Sequence, residues 1–151
     1  MKKRRSGGRK APTLAALKRK AWKLLSECIR REAADANGMV RCYTCGAVHH
    51  WKEIQAGHAI GGRTGAVLLD EEIIRPQDRR CNIMLRGNYA EFALRLVREK
   101  EILWTPSHRA PLSDAMDWWE AKLFSAKQIK KWTRQELEDK ISGYRERLAR
   151  L

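Results

Sequence analysis

The sequence predicts an α+β fold in which a short strand-rich segment lies between N-terminal and C-terminal helices. Near both ends of the chain, apolar residues recur every three or four positions, the period of a helix with one buried face. Between residues 39 and 75 they stand instead in short runs separated by turn formers, which favours short strands. The chain has 151 residues, 43% of them apolar, which is enough for one core with extensions.

The N-terminal part is predicted to be a basic tail followed by one helix. Residues 1–11 are rich in Lys, Arg and Gly, and we expect them to be disordered when free. Thr13 is a candidate N-cap and Asn37-Gly38 is a helix-ending signal, so the predicted helical unit covers residues 12–38. Its apolar face consists of Leu14, Leu17, Ala21, Leu24 and Cys28. Because Cys28 lies on that face, we expect it to pack as a small apolar residue.

Residues 39–100 are predicted to form the core of the fold. A run of apolar residues at 66–69 is typical of a buried strand. Residues 82–85 indicate a single helical turn that Gly87 breaks. Asn88 is then positioned to cap a helix that runs to about Lys100.

Residues 101–151 are predicted to be a C-terminal helical extension. A short helix is predicted to contain Trp118. Thr133-x-x-Glu136 is a capping box that begins the last helix. Apolar residues of that helix repeat at the spacing of a heptad seam: Leu137, Ile141, Tyr144, Leu148 and Leu151. Since the seam covers only two heptads, docking onto the protein's own core is favoured over a dimer zipper.

The charge balance favours an anionic partner. Lys and Arg number 32 against 18 Asp and Glu, which gives a net charge of +14. No apolar run approaches the roughly 18 residues that a membrane span needs, and no apolar segment of a secretory signal follows the basic N-terminus. We therefore expect a cytoplasmic protein that binds nucleic acid and no membrane.

Three cysteines have the spacing of zinc ligands. Cys42 and Cys45 form a C-x-x-C pair, and Cys81 follows about forty residues later. In a reducing compartment such thiols are more often metal ligands than disulfides, and thiolates suit Zn²⁺ in a tetrahedral site. The alternative is that the three thiols hold no metal.

The sequence leaves the fourth ligand open. Asp78 stands three residues before Cys81, where a second C-x-x-C pair would have its first cysteine, and carboxylate is an accepted zinc ligand. His49 and His50 lie four and five residues after Cys45 and are rivals for the same position.

His58 is the candidate catalytic residue. It lies among glycines in QAGHAIGGR, where Arg63 follows, and imidazole titrates near neutrality and can take a proton from water. Asn82 directly follows Cys81, and its amide could either ligate a divalent cation beside a phosphodiester or orient the loop. The alternative is that His58 has only a structural role.

The ordered set C-x-x-C, A-G-H, G-R, D, P-Q-x-x-x-C-N and G-N resembles the phage NinG (Rap) recombination proteins. The residues that match are Cys42, Cys45, His58, Arg63, Asp70, Gln77, Cys81, Asn82, Gly87 and Asn88. These proteins are structure-specific DNA endonucleases that act on branched recombination intermediates. The resemblance covers most of residues 20–151 and implies a small zinc-buttressed ββα-metal core, also called an HNH or His-Me finger, within residues 39–100.

The resemblance also implies site roles. His58 is expected to activate the attacking water, with Asn82 and Arg63 in the same catalytic set and a Mg²⁺ or Mn²⁺ ion near Asn82. Asp70 is a candidate ligand of that cation, and the alternative for it is a turn residue. This chain departs from the family pattern at three positions: the family usually has Cys at the place of Asp78 and often His at that of Arg75, and many His-Me finger nucleases have Asp at that of Gly57.

Basic residues around these motifs are the candidate DNA contacts. Those expected to meet phosphates are Arg75, Arg79, Arg80 and Arg86, with Lys18 and Arg19 on the N-terminal helix. No base-reading motif is present, so recognition by DNA shape is expected. The predicted function is cleavage of branched, Holliday-like or D-loop DNA in the bacterial host cytoplasm, by a homodimer because resolution needs two nicks. The alternative function is a non-catalytic zinc-binding protein that binds nucleic acid.

Overall fold

The computed structural model describes residues 11–61, 65–103 and 112–151, and these parts combine helices with two small sheets. The helices are α1 (Leu14–Glu32), α2 (Tyr89–Leu103), α3 (Leu112–Ala126) and α4 (Arg134–Ala149). The strands are β1 (Met39–Arg41), β2 (Val48–His50), β3 (Gln55–His58) and β4 (Ile74–Gln77). A 3₁₀ turn (Glu71–Ile73) precedes β4, and a π-helix (Arg80–Met84) follows it. The predicted mixed class is confirmed, whereas the predicted disordered tail lies, except for residue 11, outside the described residues.

The strands form two antiparallel hairpins. In the first, β1 pairs with β2 with Val40 opposite His49. In the second, β3 pairs with β4 with His58 opposite Ile74 and Gln55 opposite Gln77. The order along the chain is therefore β3, β4 and then the π-helix, and residues 42–47, which we call the cysteine turn, connect β1 to β2.

Helix α1 begins directly after the predicted N-cap Thr13 and ends at Glu32, six residues before the end of the predicted unit at residue 38. The hydroxyl of Thr13 accepts a hydrogen bond from the N–H of Ala16 at 3.2 Å, which confirms the N-cap. The helix ends at Glu32 because the Asp35 carboxylate accepts the N–H groups of Asn37 and Met39, at 2.9 and 2.8 Å, and turns the chain into β1. The buried face is Leu17, Ala21, Leu25 and Cys28, so Leu25 takes the place predicted for Leu24, and Leu14 is 44% exposed.

The strand predicted at residues 66–69 is wrong. The segment forms turns, in which the N–H of Asp70 bonds the carbonyl of Val67 at 3.3 Å. Val67 and Leu69 are nevertheless buried, which accounts for the strand-like pattern. The partner of β3 is instead β4, and the N–H of Ala59 continues that pairing to the carbonyl of Ile73 at 2.8 Å.

Helix α4 docks onto α1, as the heptad-length argument predicts. The capping box is confirmed, since Thr133 and Glu136 exchange side-chain and backbone hydrogen bonds. Three seam residues enter the same core as α1: Leu137, Ile141 and Tyr144. Arg147 adds ion pairs to Glu32 of α1 at 2.7 Å and to Glu71 at 2.6 Å. None of the helices in the described parts of the chain has the length and apolar character needed to cross a bilayer.

A buried amide holds the second hairpin against its neighbours. Gln77 is fully buried, and its Nε2 donates to the carbonyl of Gly87 at 2.8 Å and to the hydroxyl of Thr44 at 3.2 Å. Its Oε1 is buried without a hydrogen bond within the described residues and lies against Gly57. A Cβ on Gly57 would overlap this oxygen, so only glycine fits beside the amide.

We expect Gly57→Ala to lower the free energy of unfolding by about 2 kcal/mol, because the fixed Gln77 amide must shift to admit the methyl group. Gly143→Ala is the matched control, because no atom lies within 4 Å of its Cβ position in α4. Alanine favours a helix more than glycine does, so this change should raise the free energy of unfolding by about 0.5–1 kcal/mol. Urea unfolding of zinc-loaded protein measures both. Equal stability of Gly57→Ala and wild type would contradict the packing described here.

Candidate metal centre and neighbouring residues

Four side chains converge between the two hairpins. Cys42, Cys45, Asp78 and Cys81 place one ligand atom each within 4.8 Å of one another, and we call this set the four-donor cluster. Zinc–sulfur bonds of 2.3 Å in a tetrahedral site separate the ligand atoms by about 3.8 Å, so the set fits zinc. Within the described residues it is the only group of three or more such side chains. The cluster could hold a metal such as zinc, with Asp78 as the fourth donor.

The cysteine turn presents its two thiols to the cluster. The N–H of Gly46 bonds the carbonyl of Cys42 at 2.9 Å, and Gly46 has a φ of 79°, a left-handed conformation that glycine adopts without strain. The N–H of Asp78 donates to Cys42 Sγ at 3.3 Å, and the hydroxyl of Thr44 lies 3.4 Å from the same sulfur. Burial raises the pKa of Cys42, but these hydrogen bonds outweigh burial and lower it, which favours the thiolate that binds metal.

The carboxylate of Asp78 lies in the cluster at a position expected of a metal ligand. Its Oδ1 accepts the N–H of Cys81 at 2.6 Å and so caps the turn into the π-helix, while Cys45 Sγ donates to its Oδ2 at 3.0 Å. Burial raises the pKa of Asp78, but the hydrogen bonds from Cys45 and Cys81 outweigh it and keep the carboxyl group anionic. Burial and the Asp78 carboxylate together raise the pKa of Cys45 to about 12, so zinc binding must displace that thiol proton.

The two histidine rivals of Asp78 lie outside the cluster. His49 Nε2 is 3.8 Å from Asp78 Oδ2, and this nitrogen is buried with no hydrogen bond within the described part of the chain. It is therefore placed to support the carboxylate rather than to replace it. His50 faces away, since its Nδ1 accepts the N–H of Lys52 at 3.3 Å and its ring lies against Trp51.

His58 ends β3 in a site that fixes its ring. It is 8% exposed, and its ring stacks on Trp22 of α1 with centroids 4.6 Å apart. Its Nε2 lies 3.2 Å from the carbonyl of Leu68. A carbonyl only accepts hydrogen bonds, so Nε2 must carry the hydrogen, and in the neutral ring the lone pair belongs to Nδ1.

Asn82 lies on the π-helix one residue after the cluster. Its Nδ2 donates to Gln55 Oε1 at 2.7 Å, which leaves the amide Oδ1 as the atom suited to a cation. Gln55 and His58 are the first and last residues of β3, whose Cα atoms a strand separates by about 10 Å. The structure therefore attaches Asn82 to the same strand that carries His58.

Two other predicted site residues are engaged in ion pairs. Asp70 caps the 3₁₀ turn and pairs with Lys122 of α3 at 2.8 Å, which matches the turn alternative rather than a cation ligand. Arg75 pairs with Glu99 of α2, so its charge is already neutralised. Burial raises the pKa of Glu99, but the hydrogen bonds from Arg75 and Tyr43 lower it, which keeps the pair ionised. Both side chains are thus paired with other residues in the structure, and the predicted cation contact of Asp70 and phosphate contact of Arg75 stay predictions.

The remaining predicted residues differ in exposure. Arg79, Arg80, Arg86 and Arg19 are exposed and Lys18 is half-buried. Arg63 lies outside the described residues. Sequence reasoning missed the stacking of Trp22 on His58, for which neighbouring sequence gives no signal. It also missed the link from Gln77 to Thr44, although a glutamine at the end of an otherwise buried strand is a recognisable signal.

Comparison of the chain with family models, curated proteins and solved structures finds no match. The case for a function therefore rests on the residues and geometry described above.

Zinc content tests the cluster directly. Purified wild type should carry about one zinc per chain, and Cys81→Ser should lose most of it because a hydroxyl is a far weaker ligand than a thiolate. Cys28→Ser is the matched control, since Cys28 is equally buried but contacts the carbonyl of Tyr144 rather than the cluster. Elemental analysis by mass spectrometry measures both variants. Zinc-free wild type, or equal zinc in Cys81→Ser, would rule the cluster out as a zinc site.

Substitutions of Asp78, the one donor that is not a cysteine, should raise or lower the zinc affinity according to the residue that replaces it. Asp78→Cys completes four thiolates and should tighten zinc about tenfold, because Zn²⁺ favours the softer ligand. Asp78→Ala should weaken zinc by more than about 100-fold, beyond the loss typical of groups that only hydrogen-bond a ligand. Competition with a chromophoric chelator gives both affinities, and an unchanged affinity in Asp78→Ala would show that the carboxylate is not a ligand.

Proposed function

We propose that the chain is a metal-dependent endonuclease that nicks branched DNA such as Holliday-like junctions or D-loops. The observation that carries the proposal is the order of β3, β4 and the π-helix beside the four-donor cluster. His58 ends β3 and Asn82 lies on the π-helix, the arrangement expected of a ββα-metal core.

His58 is the proposed general base. Its Nε2–H is directed at the carbonyl of Leu68 and its ring plane is fixed by Trp22, so the orientation of Nδ1 is determined before substrate binds. Nδ1 accepts a proton from the water that attacks phosphorus, and the carbonyl of Leu68 stabilises the imidazolium that results.

Asn82 is the proposed protein ligand of the catalytic cation. Mg²⁺ or Mn²⁺, when bound, stabilises negative charge on the phosphate and on the leaving oxygen. No second group of three or more metal-ligating side chains occurs in the described ranges, so phosphate oxygens and water would complete the coordination. Mg²⁺ commonly binds in this way.

The zinc centre is proposed to position the catalytic turn. Four protein donors leave no open coordination position, which is typical of structural zinc. Cys81 enters the cluster while the next residue, Asn82, bonds Gln55 of β3. The metal would thereby tie the π-helix to the cysteine turn and hold Asn82 in place.

The charge of the molecule supports DNA as substrate. Net charge is +14, and Arg79, Arg80 and Arg86 are exposed on both sides of Asn82 in the sequence. These side chains would contact phosphates near the cut without reading bases, so preference for branched DNA would follow from DNA shape. A homodimer remains the proposed form because junction resolution needs two nicks.

The burial of His58 favours an alternative function in which this residue is structural and not catalytic. His58 is nearly buried and stacked, a setting typical of a structural histidine. A non-catalytic zinc protein that binds nucleic acid would have the same cluster and charge.

Nicking by purified protein distinguishes the two functions. With Mg²⁺ or Mn²⁺, wild type should nick a four-way junction faster than linear duplex, and His58→Ala should be slower by about 100-fold or more because the base is lost. His50→Ala is the control, since His50 lies outside the proposed site.

Zinc content and thermal unfolding of each variant establish that it is folded. Equal nicking by folded His58→Ala would contradict the catalytic assignment. Junction binding without nicking by wild type would establish the binding alternative.

A further inference from the structure

Three consecutive apolar side chains project from the π-helix and the turn that follows it. Ile83 is 53% exposed, Met84 73% and Leu85 45%. Single exposed apolar residues are ordinary on protein surfaces. Three exposed apolar residues in succession, directly after the candidate cation ligand Asn82, make this turn a candidate interaction surface.

A left-handed stretch of backbone directly follows these side chains. Arg86, Gly87 and Asn88 follow with φ of 52°, 93° and 47°, a left-handed run that is strained for the two residues with side chains. Hydrogen bonds hold the run in place: the N–H of Gly87 bonds the carbonyl of Cys81 at 2.9 Å, and its carbonyl accepts from Gln77 at 2.8 Å. The segment that carries the projecting group is therefore tied by hydrogen bonds to Cys81 and to the buried Gln77.

The charged residues of the segment that carries the apolar group are all positive. Arg79, Arg80 and Arg86 are exposed on either side of it, and residues 79–90 contain no Asp or Glu. A partner for this surface must present apolar faces next to negative charge. A DNA base step bordered by phosphates has this combination.

We propose that Ile83 and Met84 form a wedge that enters DNA and partly unstacks a base step beside the cut phosphodiester, while the three arginines hold the flanking phosphates. The inference rests on the proposed function, because DNA is its substrate. It adds a source of preference for branched DNA: bases at a junction stack less completely than in duplex, so the wedge enters there at lower free-energy cost.

Two other occupants fit less well. A symmetric contact of this surface with a second copy would bring the arginines of both copies into one interface without compensating acids from residues 79–90, which is unfavourable. A membrane surface would need a broader apolar face than these side chains supply. The neighbouring Asn82 would also have no role in binding to a membrane.

The test uses zinc-loaded full-length protein without Mg²⁺, so that DNA stays intact. A four-way junction carries 2-aminopurine near the branch point, and its fluorescence rises when a base unstacks. Ile83→Ser/Met84→Ser should reduce the rise at saturating protein at least about fivefold. Its junction affinity should fall by less than about tenfold because the arginines remain. Met116→Ser is the matched control, since Met116 is 41% exposed on α3.

Several results would overturn the wedge. These are an unchanged fluorescence rise in the folded double variant, no rise with saturating wild type, or a rise lost equally in Met116→Ser. Loss of dimer in sedimentation, or loss of binding to vesicles rich in anionic lipid, with an unchanged rise would assign the surface to those partners instead.

The nicking and fluorescence experiments test the nuclease proposal and the wedge proposal independently. If His58→Ala stops nicking but the double variant keeps the fluorescence rise, the nuclease stands and the wedge is wrong. If wild type never nicks but unstacks DNA through Ile83 and Met84, the wedge stands and the nuclease is wrong.

Discussion

The side-chain amide of Gln77 is the contact on which the rest of the candidate site depends. It donates to Thr44 in the cysteine turn and to the carbonyl of Gly87 after the π-helix, and it lies against Gly57, the residue before His58. Because a buried amide must keep its partners, each of these segments restricts where the others can lie. The next residue, Asp78, belongs to the four-donor cluster, which connects two of the same segments a second time.

The cluster and the proposed cation ligand share one turn of helix. Cys81 points into the cluster, and Asn82, its neighbour, reaches Gln55 at the start of β3. A metal with a structural role would thus lie one residue away from a group with a proposed catalytic role. This arrangement would let one short turn serve both the candidate metal centre and the proposed cation ligand.

The sequence predicts the parts of this protein that depend on local patterns. The capping box at Thr133 and the N-cap at Thr13 follow from spacing alone, and the structure places them accordingly. Spacing indicates Asp78 only as one of three candidates for the fourth donor, beside His49 and His50, and the folded arrangement brings Asp78 into the cluster. Asp70 and Arg75 could not be assigned in this way. Their partners Lys122 and Glu99 lie 52 and 24 residues further along the chain, so only the folded arrangement reveals that their charges are already paired.

The stacking of His58 on Trp22 also bears on the order in which the protein is made. Trp22 belongs to α1, whose buried face is covered by α4, and Cys28 of α1 contacts the carbonyl of Tyr144, 116 residues later. A nascent chain cannot close such contacts until the distant segment has left the ribosome. Helix α1, against which the ring of His58 stacks, is therefore covered by α4 only late in translation, and the proposed general base would gain its complete surroundings only then.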